Sequence, residues 1–352
     1  MSRFFTESLK ALQPYIPGEQ PQDMQYIKLN TNESPFSASP KAVQAITGAE
    51  VERLYLYSDP DCKALIAAIA KRYGLSSRQV TVGNGSDEVL WFALRAFCDE
   101  NTPLAYNDIT YGCYKTWCSM LNVPSNILPL KEDYSIDLSL YRGLDSTIII
   151  ANPNAPTGLC LTPAQIEGVL QENPNHVVIV DEAYVDFGGE SCVKLIDKYD
   201  NLLVVQTCSK SRSLAGARLG FAMGHPELIA DLNRIKFSFN PYNVNRLTCL
   251  AGIAAMEDEE YFQNCTKTVA QTRERTAAEL RNMGFTLTDS KANFLFAQSS
   301  RISGGELYRK LREKGILVRH FDKPRLENRL RITVGSEAQM EALLNALKEL
   351  GA

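Results

Sequence analysis

Two runs constrain the fold most: Thr147-Ile148-Ile149-Ile150-Ala151 and Val177-Val178-Ile179-Val180 are apolar at nearly every position rather than at every second one. A strand that is hydrophobic on both faces must be covered on both, as in a mainly parallel sheet flanked by helices. The neighbouring sequence keeps that pattern. Gln79–Val82, Pro103–Tyr106, Leu202–Thr207 and Gly220–Met223 read as further strands, with helical patterns at 61–73, 86–98, 111–121 and 163–172. The last helix opens on Thr162-Pro163-Ala164-Gln165, an N-cap, a proline at the first helical position and a capping-box glutamine. Strand–helix alternation of this kind predicts an α/β large domain with a mainly parallel sheet.

The ends of the chain differ from its middle. Pro14, Pro17, Pro21 and Pro35 punctuate residues 1–36, which read as an extended N-terminal arm packed on the small domain or on a partner subunit. Residues 37–257 read as the large domain. The remainder, 258–352, reads as a linking helix over 258–282 and a small α+β C-terminal domain, with strands at 285–297, 316–320 and 329–334 and helices at 303–314 and 337–350.

Composition narrows the function classes. Lys+Arg 37 against Asp+Glu 41 gives a net charge of −4, so there is no bulk basic field for nucleic acid or an anionic membrane. No apolar run approaches the roughly 20 residues that span a bilayer, and Met1–Glu7 shows no secretory h-region. Nine scattered cysteines without a CxxC pair suit reduced thiols in a cytoplasmic protein, and three histidines exclude a His-rich metal site. An enzyme or a binding protein remains.

Four segments carry the chemistry. Lys210, in Thr207-Cys208-Ser209-Lys210-Ser211-Arg212-Ser213-Leu214-Ala215-Gly216-Ala217-Arg218-Leu219-Gly220, follows an apolar strand and so sits at a strand's carboxyl end, where α/β sheets place their ligands. An isolated lysine there would be a solvated surface residue. Asp181-Glu182-Ala183-Tyr184 ends another strand at the same edge; alone, Asp181 could equally be a cap. Together, a lysine able to form a Schiff base and an acid able to keep a pyridine nitrogen protonated propose pyridoxal-phosphate chemistry. Gly83-Asn84-Gly85-Ser86-Asp87-Glu88 is a strand–turn–helix junction whose backbone N–H groups could cradle a phosphate. It lacks the third glycine of a dinucleotide fingerprint, and its two acids sit awkwardly beside an anion. Asn152-Pro153-Asn154-Ala155-Pro156-Thr157-Gly158 follows Thr147–Ala151 and reads either as a turn or as a ligand loop.

In that chain order these segments resemble the fold-type I pyridoxal-phosphate aminotransferases. The resemblance is nearest to the histidinol-phosphate aminotransferase family through Leu29-Asn30-Thr31-Asn32-Glu33-Ser34-Pro35, Leu56-Tyr57-Ser58-Asp59-Pro60, Pro241-Tyr242-Asn243-Val244-Asn245 and Leu330-Arg331-Ile332-Thr333-Val334-Gly335. It implies Lys210 as the Schiff-base and proton-shuttling lysine, Asp181 as the acid on the pyridine nitrogen and Tyr184 as the phenol on the cofactor's 3′-oxygen. It further implies Gly85, Ser86, Asp87, Thr207, Ser209 and Arg218 around the cofactor phosphate, Tyr111 stacked on the ring, and Tyr57 supplied by the other subunit of a homodimer with shared active sites. Tyr15, Asn32, Arg319 and Arg331 match substrate-binding positions, Arg331 for an α-carboxylate and Arg319 for a substrate phosphate. One position departs from the family: Ala155 stands where an asparagine usually bonds the 3′-oxygen, leaving Asn154 the nearest substitute and Asn152 a poorer one. The implied activity is amino transfer between glutamate/2-oxoglutarate and imidazole-acetol phosphate/histidinol phosphate. Aromatic or other amino-acid aminotransferases and threonine-phosphate decarboxylase would share the cofactor residues, and a nucleotide-binding or catalytically silent cofactor-binding protein is the reading from outside the class.

Overall fold

In the computed structural model, which describes residues 2–46 and 48–352, the chain builds two sheets. The arm contributes one strand, β1 (Ile27–Leu29). Seven strands follow: β2 (Val80–Asn84), β3 (Leu104–Asn107), β4 (Ser125–Leu128), β5 (Thr147–Ala151), β6 (Val178–Asp181), β7 (Leu202–Thr207) and β8 (Leu219–Gly224). They form one sheet in the order β2-β8-β7-β6-β5-β3-β4, parallel except where β8 runs antiparallel to both neighbours. Its double-faced burial follows from the sequence pattern. Ile148, Ile150, Val178 and Val180 enter the core on one side, and Ile149, Ile179, Leu203 and Val205 the core on the other. This is the α/β architecture expected.

The second sheet takes β9 (Thr286–Leu287), β10 (Phe294–Gln298), β11 (Ile316–His320) and β12 (Leu330–Thr333), in the order β1-β11-β12-β10-β9. The arm is thus more than an overlay: β1 pairs parallel with β11, Leu29 opposite Val318, and caps an otherwise open edge. The helix Glu259–Asn282 leads into this sheet, and its Ala277 and Leu280 pack in the same core as Leu29, Leu295 and Ile332.

Several elements differ from the sequence reading. The run 285–297 is two strands, because residues 288–293 turn back on themselves, with Ser290 Oγ donating to the Phe294 carbonyl at 2.6 Å. The edge strand β4 carries the mixed sequence Ser-Asn-Ile-Leu and alternates in exposure, so it offers no apolar run. Two helices lie outside the expected set: Pro226–Phe239 packs on β2 and β8, and Arg246–Glu257 packs on the helices Pro40–Ala45 and Lys63–Tyr73. The helix expected from residue 111 begins at Cys113, which leaves Tyr111 on the preceding turn, free to face a ligand.

Candidate active site

The strands end where their chemistry begins. Asp181 closes β6, opposite Ala151 and Val205; Thr207 closes β7, opposite Gly220; and Gly85 makes the turn after β2. At this edge lies a cavity of about 200 Å³ walled by the sheet ends, the arm and the small sheet. An outer cavity of about 720 Å³ shares Tyr15, Tyr111, Arg319 and Arg331 with it.

The turn after β2 is built for close approach. Gly85 has φ +86°, and a Cβ there would lie 2.5 Å from Arg218 Nη2. Gly220 lies so tightly under the start of helix Ser86–Phe97 that a Cβ would come 2.1 Å from the Ser86 nitrogen. Free N–H groups at that helix end, with the Ser86, Thr207 and Ser209 hydroxyls and the Arg218 guanidinium beside them, make an anion cradle. Thr207 Oγ1 donates to Ser209 Oγ at 3.0 Å. Arg218 holds the left-handed backbone region, φ +56°. The two acids that looked out of place are engaged. Asp87 accepts from Arg218 Nη2 at 3.2 Å and from the Tyr111 hydroxyl at 3.0 Å. Glu88 faces away, accepting from the Asn84 N–H at 2.6 Å and Asn243 Nδ2 at 2.5 Å.

Asp181 is 5% exposed. Burial pushes its carboxyl up to about 6, against hydrogen bonds from the Tyr114 hydroxyl at 2.6 Å and the Ala183 N–H at 3.2 Å. Lys210 Nζ donates to the Thr31 carbonyl at 3.1 Å and has no carboxylate within ion-pair distance among the described residues. Burial first, then the nearby Arg331 charge, push its amine down to about 8. The Tyr184 hydroxyl, raised in pKa by burial, accepts from Asn32 Nδ2 at 3.0 Å. Tyr111 faces the cavity with the Tyr15 ring edge-on at 5.8 Å.

The arm residues are fixed by the small sheet. Asn32 has φ +56°; its N–H donates to Thr333 Oγ1 at 2.9 Å, Thr333 Oγ1 donates to its Oδ1 at 3.1 Å, and Asn293 Nδ2 donates to its carbonyl at 3.0 Å. Asn32 lines the cavity as expected, but its amide is engaged by Tyr184 and Thr333. Arg319 and Arg331 are direct register partners on β11 and β12. Arg319 donates to the carbonyls of Ile16 at 2.8 Å and Pro17 at 3.1 Å, and Arg331 Nη2 to that of Asn30 at 3.0 Å. Neither has an acidic partner among the described residues, and both face the cavity.

Two expected residues lie elsewhere. Asn154 does not reach this cavity. Its Oδ1 accepts from Thr110 at 2.8 Å and its Nδ2 donates to the Ile109 carbonyl at 3.0 Å and to Thr157 at 3.1 Å, so its amide shapes the loop. Asn152 is committed likewise, to both backbone groups of Leu161. The residues of that loop facing the cavity are Pro153 and Ala155, neither of which has a side-chain donor to offer. Tyr57 is 79% exposed and stacks on Tyr242 at 4.4 Å, outside its own chain's cavity. Sequence reasoning missed Tyr114, Thr333 and Asn293. Tyr114 had a signal, since it lies three residues after Tyr111 and one helical turn brings such positions to one side. The other two act through contacts made across 301 and 261 residues.

A buried acid without a cationic partner among the described residues, a lysine of lowered basicity, an aromatic face and an anion cradle fit pyridoxal phosphate: a ring nitrogen, a carbonyl, a π-face and a phosphate. Similarity to known proteins agrees with this reading. Residues 24–347 match the family described as Aminotransferase class I and II. A histidinol-phosphate aminotransferase of Marinomonas sp. (strain MWYL1) is 51% identical over 99% of this chain and 100% of its own, and one of Clostridium acetobutylicum is 47% identical over 99% of each. The crystal structure of histidinol-phosphate aminotransferase from Sinorhizobium meliloti in complex with pyridoxal-5′-phosphate shares the fold with TM-score 0.89 and 23% identity, covering 100% of this chain and 98% of that one. L-threonine-O-3-phosphate decarboxylase from Porphyromonas gingivalis also shares the fold, with TM-score 0.78 and 22% identity, covering 92% of this chain and 98% of that one. The chain belongs to the class I and II aminotransferase family, within its histidinol-phosphate aminotransferase group.

Proposed function

We propose that the protein is a pyridoxal-phosphate-dependent histidinol-phosphate aminotransferase, moving the amino group of glutamate to imidazole-acetol phosphate and releasing 2-oxoglutarate and histidinol phosphate. When bound, pyridoxal phosphate would supply an aldehyde carbon reactive toward primary amines and an electron-withdrawing pyridinium ring. Lys210 would hold that carbonyl between turnovers and then carry the Cα proton, a role favoured by an amine that is neutral in about one molecule in ten at pH 7. Asp181 would face the ring nitrogen, Tyr184 the 3′-oxygen, Tyr111 the ring face, and the Gly85–Asp87 turn with Thr207, Ser209 and Arg218 the phosphate. Tyr184, held by Asn32, would be the 3′-oxygen donor, with no asparagine beside it at position 155.

The observation that carries the substrate assignment is the paired Arg319 and Arg331, two guanidiniums in one cleft without acidic partners among the described residues. Both substrates are polyanions, one with two carboxylates and one with a phosphate, and guanidinium forks suit each. Arg331 is read as the α-carboxylate ligand, and Arg319 as the phosphate ligand through donors left free by the arm carbonyls. Tyr15 and Asn32 close the site from the arm.

We read the protein as a cytoplasmic homodimer, divided into an arm over 1–36, a cofactor unit over 37–257 and a small unit over 258–352. Among the described residues none of the nine cysteines forms a disulfide, and no helix is long and apolar enough to cross a membrane. Val51, Leu54, Tyr55, Tyr57, Phe239 and Tyr242 leave an apolar surface exposed beside the Tyr57 segment, which suits a second copy that receives Tyr57. The test is a half-reaction panel on the cofactor-loaded protein with histidinol phosphate, phenylalanine and threonine phosphate. Fastest conversion by histidinol phosphate is expected; a preference for phenylalanine, or carbon dioxide release from threonine phosphate, overturns the substrate assignment and leaves the family intact.

A further inference from the structure

We propose that Tyr114 is a positioning residue for this cofactor site: its buried phenol holds the Asp181 carboxylate in the charged, oriented form that a pyridine nitrogen needs, while its ring braces Tyr111. The inference rests on the cofactor reading above. Tyr114 is 0% exposed and donates to Asp181 Oδ2 at 2.6 Å; the other donor to that carboxyl is the Ala183 N–H at 3.2 Å. Tyr114 therefore supplies the only side-chain hydrogen bond to Asp181 among the described residues. The short O–H···O distance is that of a bond to a charged acceptor.

The phenol has little freedom to leave. Its ring meets Tyr111 edge-on at 5.6 Å and 86°, Tyr106 at 6.3 Å and Trp117 at 6.1 Å. Burial and the facing acid raise its own pKa well above the usual phenol range, so it stays a donor throughout the working pH range. Apart from the Ala183 N–H, the other groups facing Asp181 do not favour its charge. Asp87 on the helix after β2 opposes ionisation, and neither the thiol of Cys113 nor the phenol of Tyr184 donates to it. Against that setting the Tyr114 bond is the main side-chain influence favouring the carboxylate. One side chain thus links the residue under the ring nitrogen to the residue on the ring face.

Tyr114→Phe keeps the ring and removes the bond. The carboxyl titration of Asp181 in cofactor-free protein, followed by [13C]Asp NMR and assigned with Asp181→Asn, reads the effect without any turnover. A bond to a charged group contributes about 1.5–3 kcal/mol, so its loss raises the Asp181 midpoint by about 1–2 pH units. In the loaded enzyme the pH titration of the bound cofactor's absorbance shifts, and kcat for the glutamate half-reaction falls about 10–100-fold while KM changes little. Tyr114→3-fluorotyrosine, a stronger donor of nearly the same size, moves the Asp181 midpoint downward and covers the case in which the phenylalanine variant folds poorly. Midpoints unmoved in both variants, or a moved midpoint with kcat intact, overturn the proposal. Absence of any half-reaction in the unsubstituted protein would instead defeat the aminotransferase reading, a different result from a different measurement.

Discussion

The lowered basicity of Lys210 is a structural consequence that can be measured on one amine. Its ammonium lies at the cavity wall with the Thr31 carbonyl at 3.1 Å as hydrogen-bond partner, and burial and Arg331 both disfavour the charge while Glu33 favours it. With a midpoint of about 8 the neutral fraction rises about 50-fold between pH 6 and 8 and only about 2-fold between pH 8 and 10. An ordinary lysine, at 10.5, would rise about 100-fold and then a further 75-fold over the same intervals. Competitive trace acetylation of the cofactor-free protein across this range, with the Lys210 peptide quantified by mass spectrometry, separates the two curves. The curve should flatten above pH 8. Arg331→Gln should move the bend to higher pH and Glu33→Gln to lower pH, because each removes the charge responsible. Reactivity still climbing steeply at pH 10 would refute the electrostatic picture of the cleft.

Two further outcomes follow from the same geometry. Asp181 has its midpoint raised from 3.8 to about 6, so its ionised form is penalised in the folded cofactor-free protein above pH 6 and the penalty fades as pH falls toward 4. Asp181→Asn should therefore stabilise that protein by up to about 3 kcal/mol at pH 7.5, and less at pH 5, while abolishing half-reaction turnover; denaturant melts at both pH values check this. Mixing Tyr57→Ala with Lys210→Ala subunits should restore up to about a quarter of wild-type activity, because each mixed dimer regains one intact site only if Tyr57 acts across subunits. No recovery would place Tyr57 outside the partner's site.

What was legible in the sequence, and what was not, follows from how local each cause is. Double-faced apolar runs announced β5 and β6, and the small, polar residues around Lys210 and Gly85 marked strand ends because turn geometry there depends on neighbours in the chain. β4 escaped because an edge strand half in water needs no apolar run. Asn32 was found as a cavity residue, but not its hold on Tyr184, which depends on Thr333 and Asn293 from a sheet formed at the other end of the chain. Asn154 failed for a related reason. Chain proximity to Ala155 suggested that it could stand in, yet adjacent residues in a loop point in different directions, and three local hydrogen bonds hold its amide away from the cavity.

We propose that Lys210, at the carboxyl end of β7, is the amine that holds the cofactor carbonyl. Borohydride reduction of the pyridoxal-phosphate-loaded protein, followed by peptide mapping, fixes the cofactor onto whichever lysine carries it. One stoichiometric adduct on Lys210 is expected, with loss of both the adduct and the yellow absorbance in Lys210→Ala. An adduct on any other lysine, or turnover retained by Lys210→Ala, would contradict it.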